Sequence, residues 1–252
     1  MIEPIGLPFL SQGFDPMSRL RGSVPTCSRQ ELLDLLSDGE VTECQPIPYG
    51  SNYTFLLRVQ GRSEVLGIYK PRDGEVPLWD FPRGTLYLRE YATYLVASAV
   101  NWAFVPATVI RDGPYGIGSL QLFVQHDIRV NPLTVLDRYP DDLRRMCLFD
   151  WIVNNADRKP GHCLLDSEGQ VWGIDHGLTF NTYPKLRTWI WAFGGESLLA
   201  EHRADLGGLL RQLGNRRELR KALSELLSQE EIDAFIHRIR MILSIGKFPE
   251  LD

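Results

Sequence analysis

The chain has 252 residues, 44% of them hydrophobic and 23% charged, and a formal net charge of −5. That length suffices for one large domain or for two lobes sharing a cleft, and the composition is that of an ordinary globular protein. The acidic balance excludes broad nucleic-acid binding, which needs a basic surface, and no apolar run reaches membrane-spanning length.

The four cysteines, Cys27, Cys44, Cys147 and Cys163, show no CxxC spacing and read as reduced thiols of a cytoplasmic protein. The start, MIEPIGLPFL, lacks the basic and apolar regions of a signal peptide. Two local basic stretches stand out against the acidic whole, RLRGS near the N-terminus and RQLGNRRELRK at 211–221.

Residues 1–25 are rich in Gly, Pro and Ser and read as an N-terminal arm. Ser28 then caps a short leucine-faced helix that stops near Gly39. Three strands follow, EVTECQPI, NYTFLLRVQ and SEVLGIYKP, the last two joined by a turn around Gly61. Gly50, Ser51 and Asn52 lie between the first two strands. Small residues there let backbone N–H groups approach phosphate oxygens; they also suit a plain hairpin turn.

LYLREYATYLVASAV repeats apolar residues at helical spacing and predicts a long helix from about Thr85 to Val100. The strands PATVIRDG and GSLQLFVQHD flank the turn signal DGPYG, and the glycines of GIG at 116–118 read as part of a turn. DDLRRMCLFDWIVNN is an amphipathic helix leading to Asp157. A hairpin comes next: strand HCLL, turn DSEGQ, strand VWGI. Helices are expected near 197–212, 215–227 and 229–244. The pattern predicts an α+β chain with a β-rich N-lobe over 26–130, one long helix in it, and a mostly helical C-lobe over 131–252.

The residues that carry chemistry cluster late in the chain. Asp157 and Asp175 stand eighteen positions apart at the two ends of the hairpin unit, so both can face one cavity. Phosphoryl transfer needs such a pair, one carboxylate to orient the attacking hydroxyl and one to hold the metal on the nucleotide phosphates. Lys70 near a strand end and Glu90 on the long helix are each unremarkable alone. Together they match a strand lysine held by a helix glutamate, which fixes a cation against phosphates.

These motifs carry a resemblance. GSNYTFLL, GIYKP, FPRGTLYLREYATYLV, NNADRKPGH and IDHGLTF resemble the phosphatidylinositol 3-/4-kinase-related superfamily, in particular its small bacterial PI3/4-kinase-like members, over roughly residues 45–245. The resemblance implies a two-lobed protein-kinase-like fold that uses ATP with Mg²⁺ or Mn²⁺. By it, Lys70 binds the α- and β-phosphates with Glu90 orienting it, Asp157 is the catalytic aspartate and Asp175 the main metal ligand. Phe123, Val124 and Gln125 form the hinge that holds adenine, although Phe123 also suits plain strand core. The sequence departs from the family at His162, which stands where an asparagine is usual. Imidazole suits manganese better than magnesium; His162 binds the second metal, meets a phosphate, or braces Asp157. Arg158 reads as a brace of the loop, Asn154 and Asn155 as loop caps, and His176 as a structural hydrogen-bonding residue.

The function implied is an ATP-dependent phosphotransferase that moves the γ-phosphate to a hydroxyl of a protein, a small polar molecule or an inositol lipid. Lys185 and Arg187 alone are few cations for an inositol-phosphate headgroup. Trp189 and Trp191 read either as an apolar wall for the acceptor or as packing against the C-lobe. Rival readings are an AMP transferase on the same fold, a nucleotide-binding pseudokinase that recruits a partner, and a metal hydrolase built on Asp157, His162, Asp175 and His176.

Overall fold

The computed structural model describes residues 28–48, 50–126 and 138–250; the expected N-terminal arm lies outside them. Helix α1 (Arg29–Asp38) opens with a reciprocal capping box, Ser28 Oγ accepting from Glu31 N and the Glu31 carboxylate accepting from Ser28 N at 2.8 Å. It stops at Gly39, where a Cβ would fall 2.5 Å from Val59 Cγ1 and from Leu35 O.

A five-stranded antiparallel sheet follows, in the spatial order β1 (Glu40–Ile47), β2 (Thr54–Gln60), β3 (Glu64–Pro71), β5 (Gly116–Leu122), β4 (Thr108–Gly113). Strand alternation decides which face each side chain takes. Leu57, Val59, Val65, Tyr69, Leu120 and Val109 share one face with Leu36 of α1 and form the smaller core. Ile68 and Lys70 therefore point to the other face, toward the rest of the chain. This period of two directs Lys70 into the cleft.

The glycines at 116–118 are not a turn but the start of β5. Gly116 adopts φ +84, and Gly118 sits inside the ladder against β3. A Cβ on Gly118 would lie 2.4 Å from Lys70 O. Glycine is needed there for the two strands to approach at the lysine.

After β3 the chain leaves the sheet through a 3₁₀ turn (Arg72–Gly74) and helix α2 (Leu86–Ala99). Helix α2 is buried nearly all round, with Leu86, Arg89, Glu90, Ala92, Thr93, Val96 and Ala97 all inside. A helix apolar on several faces is a core helix. Its Ala92, Val96 and Ala97 belong to the larger core, together with α3 (Pro140–Val153), α4 (Ala200–Gln212) and α6 (Gln229–Ile245). The one long helix of the β-rich half is thus packed into the helical half. Phe149 of α3 lies at the centre, with Phe104 edge-on at 5.1 Å.

Between α3 and α4 the chain forms a 3₁₀ turn (Pro160–His162) and a two-stranded hairpin, β6 (Cys163–Leu165) with β7 (Val171–Gly173). Gly173 N donates to Phe104 O at 2.8 Å, which ties the hairpin to the segment entering the sheet. Helices α4, α5 (Glu218–Ser224) and α6 complete the described chain, shorter at their starts than the sequence pattern suggests for the first two. Helix α6 opens with a second capping box, Ser228 with Glu231, and ends at Gly246 in the left-handed region, φ +71. Among the described residues no helix is long and apolar enough to cross a membrane.

Candidate active site

A cavity of about 400 Å³ lies between the sheet and the hairpin unit. Lys70 enters it from β3. Its ammonium donates to Glu90 Oε1 of α2 and, at 2.7 Å, to Asp175 Oδ1. Burial alone would lower the Lys70 pKa, but Asp175 and Glu90 outweigh it and hold the ammonium charged. Lys70 in turn holds the Asp175 carboxyl well below the usual carboxylate range. Burial pushes the Glu90 carboxyl up, against the pull of Lys70. The second Glu90 oxygen accepts from His176 N at 3.0 Å, so the helix glutamate touches both the lysine and the backbone after Asp175.

Asp175 follows β7 and takes φ +59, a left-handed conformation that aspartate tolerates better than most residues. Its other oxygen, Oδ2, faces His162 Nε2 at 3.4 Å. Asp157 enters the same cavity from the loop after α3. That loop is fixed by backbone bonds on both sides: Ala156 N to Leu178 O, Arg158 N to Arg187 O and Arg187 N to Asn155 O, each 2.9 Å. Asn155 Oδ1 accepts from Asp157 N at 3.0 Å. Lys159 Nζ donates to Asp157 Oδ2 at 2.6 Å and lines the cavity.

The loop and the hairpin are held from behind by one guanidinium. Arg158 is buried and bonds both Asp150 oxygens, Nε to Oδ2 at 2.9 Å and Nη2 to Oδ1 at 2.8 Å. Its Nη1 reaches His162 O at 3.1 Å and Ile174 O at 3.0 Å. A bidentate, fully paired arginine is the arrangement that makes a buried charge tolerable. Nη2 also meets His176 Nε2 at 2.6 Å, so that nitrogen accepts and the ring is neutral. Burial, reinforced by Arg158, puts the His176 pKa well below the ordinary value.

The structure brings Gly50, Ser51, Asn52, Lys70, Glu90, Val124, Asp157, His162 and Asp175 to the walls of one cavity. Gly50 has φ +101, which favours glycine, and open space where a Cβ would stand. Asn52 Oδ1 accepts from Val76 N at 2.8 Å and ties this turn to the segment after β3. Gln125 is not in the wall. It is exposed, while its neighbours Val124 and His126 line the cavity and His126 Nδ1 meets Val124 O at 2.9 Å. Phe123 lines the cavity, and its N–H is taken by Leu66 O at 2.9 Å. Trp189 packs against the larger core, with its indole N–H buried, and is no open acceptor wall. Nothing in the sequence pattern marks Lys159 beyond its place two positions after Asp157.

The donor set fits a divalent cation. Asp175 and His162 offer a carboxylate oxygen and an imidazole nitrogen that face each other beyond good hydrogen-bond length. His162 Nδ1 is buried without a partner, and burial lowers the ring's pKa, which favours the neutral form that binds metal. Among the described residues no group of three or more His, Cys, Asp or Glu side chains could hold an ion alone. Two protein donors, completed by phosphate oxygens and water, is the pattern of nucleotide-bound metals.

Known proteins resemble this chain in sequence and in fold. A family model described as phosphatidylinositol 3- and 4-kinase matches residues 107–190, the stretch from β4 through Asp157 and Asp175. Protein Rv2133c of Mycobacterium tuberculosis is 40% identical over 251 residues, covering 85% of this chain and 90% of that protein. The chain belongs to the PI3/4-kinase-like family of small bacterial proteins. Among solved structures, hydra Fam20 with sugar aligns with a TM-score of 0.56 at 14% identity, over 86% of this chain and 87% of that one. The Golgi casein kinase with Mn/ADP bound aligns with a TM-score of 0.54 at 15% identity, over 86% and 74% of the two chains. At such identities the likeness concerns the fold, which is α+β and kinase-like. Family and fold together make the chain a member of a phosphotransferase family.

Proposed function

We propose that the chain is an ATP-dependent phosphotransferase that moves the γ-phosphate of a metal-bound nucleotide to a hydroxyl acceptor. The observation that carries this reading is the clasp of Lys70 between Glu90 and Asp175, opposite Asp157 in one cavity. A salt bridge of that kind presents a fixed positive charge to phosphate oxygens. The Golgi casein kinase structure, which holds Mn/ADP, lends support from the fold.

In this reading Asp175 and His162 hold the divalent cation, which would offset charge on the transferring phosphoryl oxygens. Lys70 binds phosphate, positioned by Glu90. Gly50, Ser51 and Asn52 turn small residues toward the same phosphates. Phe123 and Val124 form the wall for the base. Asp157 accepts the proton of the acceptor hydroxyl and orients it for in-line attack. Lys159, in the same cavity wall and paired with Asp157, adds positive charge near where negative charge moves. The N-lobe would span 26–130 and the C-lobe 131–252, meeting at this cavity. A cytoplasmic setting suits Cys44, Cys147 and Cys163, which are free thiols.

Incubating the protein with ATP, Mn²⁺ and acceptor pools, then weighing the products, tests the reading. Addition of a phosphoryl mass supports it. Addition of AMP, or binding without turnover, refutes γ-phosphate transfer.

A further inference from the structure

Two exposed aromatic rings, here called the ledge, stand on a pair of joined loops, one of which lines the cavity through Glu75, Val76 and Leu78. Trp79 is 92% exposed and Tyr183 is 74% exposed, more than any other large hydrophobic side chains among the described residues. They sit on two loops, 75–85 before α2 and 181–187 after Asp175. The loops are fastened to each other: Asn181 Nδ2 donates to Asp80 O at 2.8 Å, and Lys185 Nζ pairs with Asp80 Oδ2 at 2.9 Å. The same ammonium lies 4.8 Å from the centre of the Trp79 ring.

The ledge is anchored to the catalytic loop. Leu78 and Phe81, on either side of the Trp79–Asp80 tip, pack with Leu86 and Leu178 around Ala156, the residue before Asp157. Asn154 donates to Tyr183 O at 2.7 Å and accepts from Lys185 N at 2.9 Å. Trp79 is therefore turned outward by a loop whose neighbouring side chains are packed inward. An indole and a phenol held open to water on loops fastened to Asn154 and Ala156, just before Asp157, form a surface suited to a partner. Such rings supply large contact area at low entropy cost.

Charge selects among partners. The two loops carry Glu75 and Asp80 against Arg83, Lys185 and Arg187, and Lys185 is already paired. An anionic lipid surface is recognised by clusters of Lys and Arg, and the whole chain has net charge −5. A near-neutral aromatic ledge instead complements an apolar side chain of a polypeptide. We propose that Trp79 and Tyr183 dock a polypeptide acceptor, gripping an aromatic or aliphatic side chain next to the hydroxyl offered to Asp157. This rests on the phosphotransferase reading and names the acceptor class for it.

The test uses the full chain and degenerate peptide libraries centred on serine, threonine or tyrosine, with one flanking position fixed at a time. Acceptor-free ATP hydrolysis is measured in parallel. Wild type should prefer libraries with a fixed Phe, Trp or Leu. Trp79→Ala should raise KM for the preferred peptide about tenfold, the effect of losing one interface anchor, with kcat and acceptor-free hydrolysis unchanged. Tyr183→Ala should act in the same direction. Both side chains are exposed, so neither replacement removes core packing. Intact hydrolysis with no peptide preference, or with KM unaltered by Trp79→Ala, overturns the inference while sparing the phosphotransferase reading. Transfer only to phosphatidylinositol in phosphatidylcholine vesicles, lost in Trp79→Ala, assigns the ledge to a membrane and also overturns it. Wild type that neither binds nor hydrolyses ATP refutes the phosphotransferase reading itself, and this inference with it.

Discussion

Arg89 of α2 and Glu231 of α6 form a buried ion pair one residue along the helix from Glu90. The same guanidinium donates to Thr179 O at 2.7 Å and lies 5.0 Å from the centre of the Phe81 ring. One side chain therefore joins the lysine-clasping helix, the segment after Asp175 and the C-terminal helix. The contact fixes the helix that carries Glu90 against the segment that follows Asp175. Breaking such a pair by Arg89→Met should cost about 3 kcal/mol or more, since it strands a buried carboxylate. Arg89→Met with Glu231→Leu should recover part of that loss. Urea unfolding of the single and double variants checks this; a single-variant loss under about 1 kcal/mol, the range of exposed pairs, would show that the pair does not pin α2.

Gly118 is the second structural prediction. A Cβ there would meet Lys70 O at 2.4 Å, backbone against side chain with no flexible end to move. Gly118→Ala should push β5 from β3 at the lysine, destabilise by about 1–3 kcal/mol, as overpacking does, and weaken nucleotide binding. Gly116→Ala, with open space around it but φ +84, should cost stability without moving Lys70. Equal nucleotide affinity in wild type and Gly118→Ala would contradict the role given to this contact.

Much of the site was legible because it rests on local order. A strand lysine, a helix glutamate twenty positions later and two aspartates around a hairpin are patterns of spacing, and period two in β3 turns Lys70 away from the Tyr69 face. The unread parts depend on contacts between distant segments. Nothing local to LYLREYATYLV says that Arg89 meets Glu231, or that α2 shares its core with α6. GIG reads as a turn because glycine favours turns; its actual role, letting β5 pass close to Lys70, needs the strand pairing to be known. Trp79 gave no sign of its exposure, since its neighbours Leu78 and Phe81 are as apolar as it is.

Histidine protonation sets a pH trend in stability. His202 is fully buried between Trp102 and Phe248; neither ring nitrogen is hydrogen-bonded, Nε2 lies 3.8 Å from Glu201 Oε1, and burial lowers its pKa from 6.5 against the pull of that carboxylate. The unfolded chain takes this proton near pH 6.5 and the folded chain only at lower pH, so in between the unfolded state binds more protons. The stabilisation is complete above about pH 6.5 and is lost as pH falls through the folded value. His162 and His176 act in the same sense. His202→Leu should flatten, not abolish, the fall in urea midpoint between about pH 7.5 and about pH 5.5. An unchanged slope would mean that His202 takes up its proton without cost in the folded state.

His162 should set metal preference. An imidazole donor beside Asp175 favours manganese over magnesium relative to an oxygen donor. His162→Asn should move the ratio of manganese- to magnesium-supported activity toward magnesium. A changed rate with the same ratio would leave His162 as a brace of the loop alone.

The central claim is that the cavity between Lys70 and Asp157 binds a metal nucleotide and divides its work between two aspartates. Calorimetric titration of Mn·ATP into wild type, Asp175→Ala and Asp157→Ala tests it most directly, with transfer assayed on the same samples. Wild type should bind only with divalent metal present. Asp175→Ala should weaken binding by about tenfold or more, while Asp157→Ala should bind as wild type does and transfer nothing. No metal-dependent binding by wild type, or equal loss in both variants, would contradict the account.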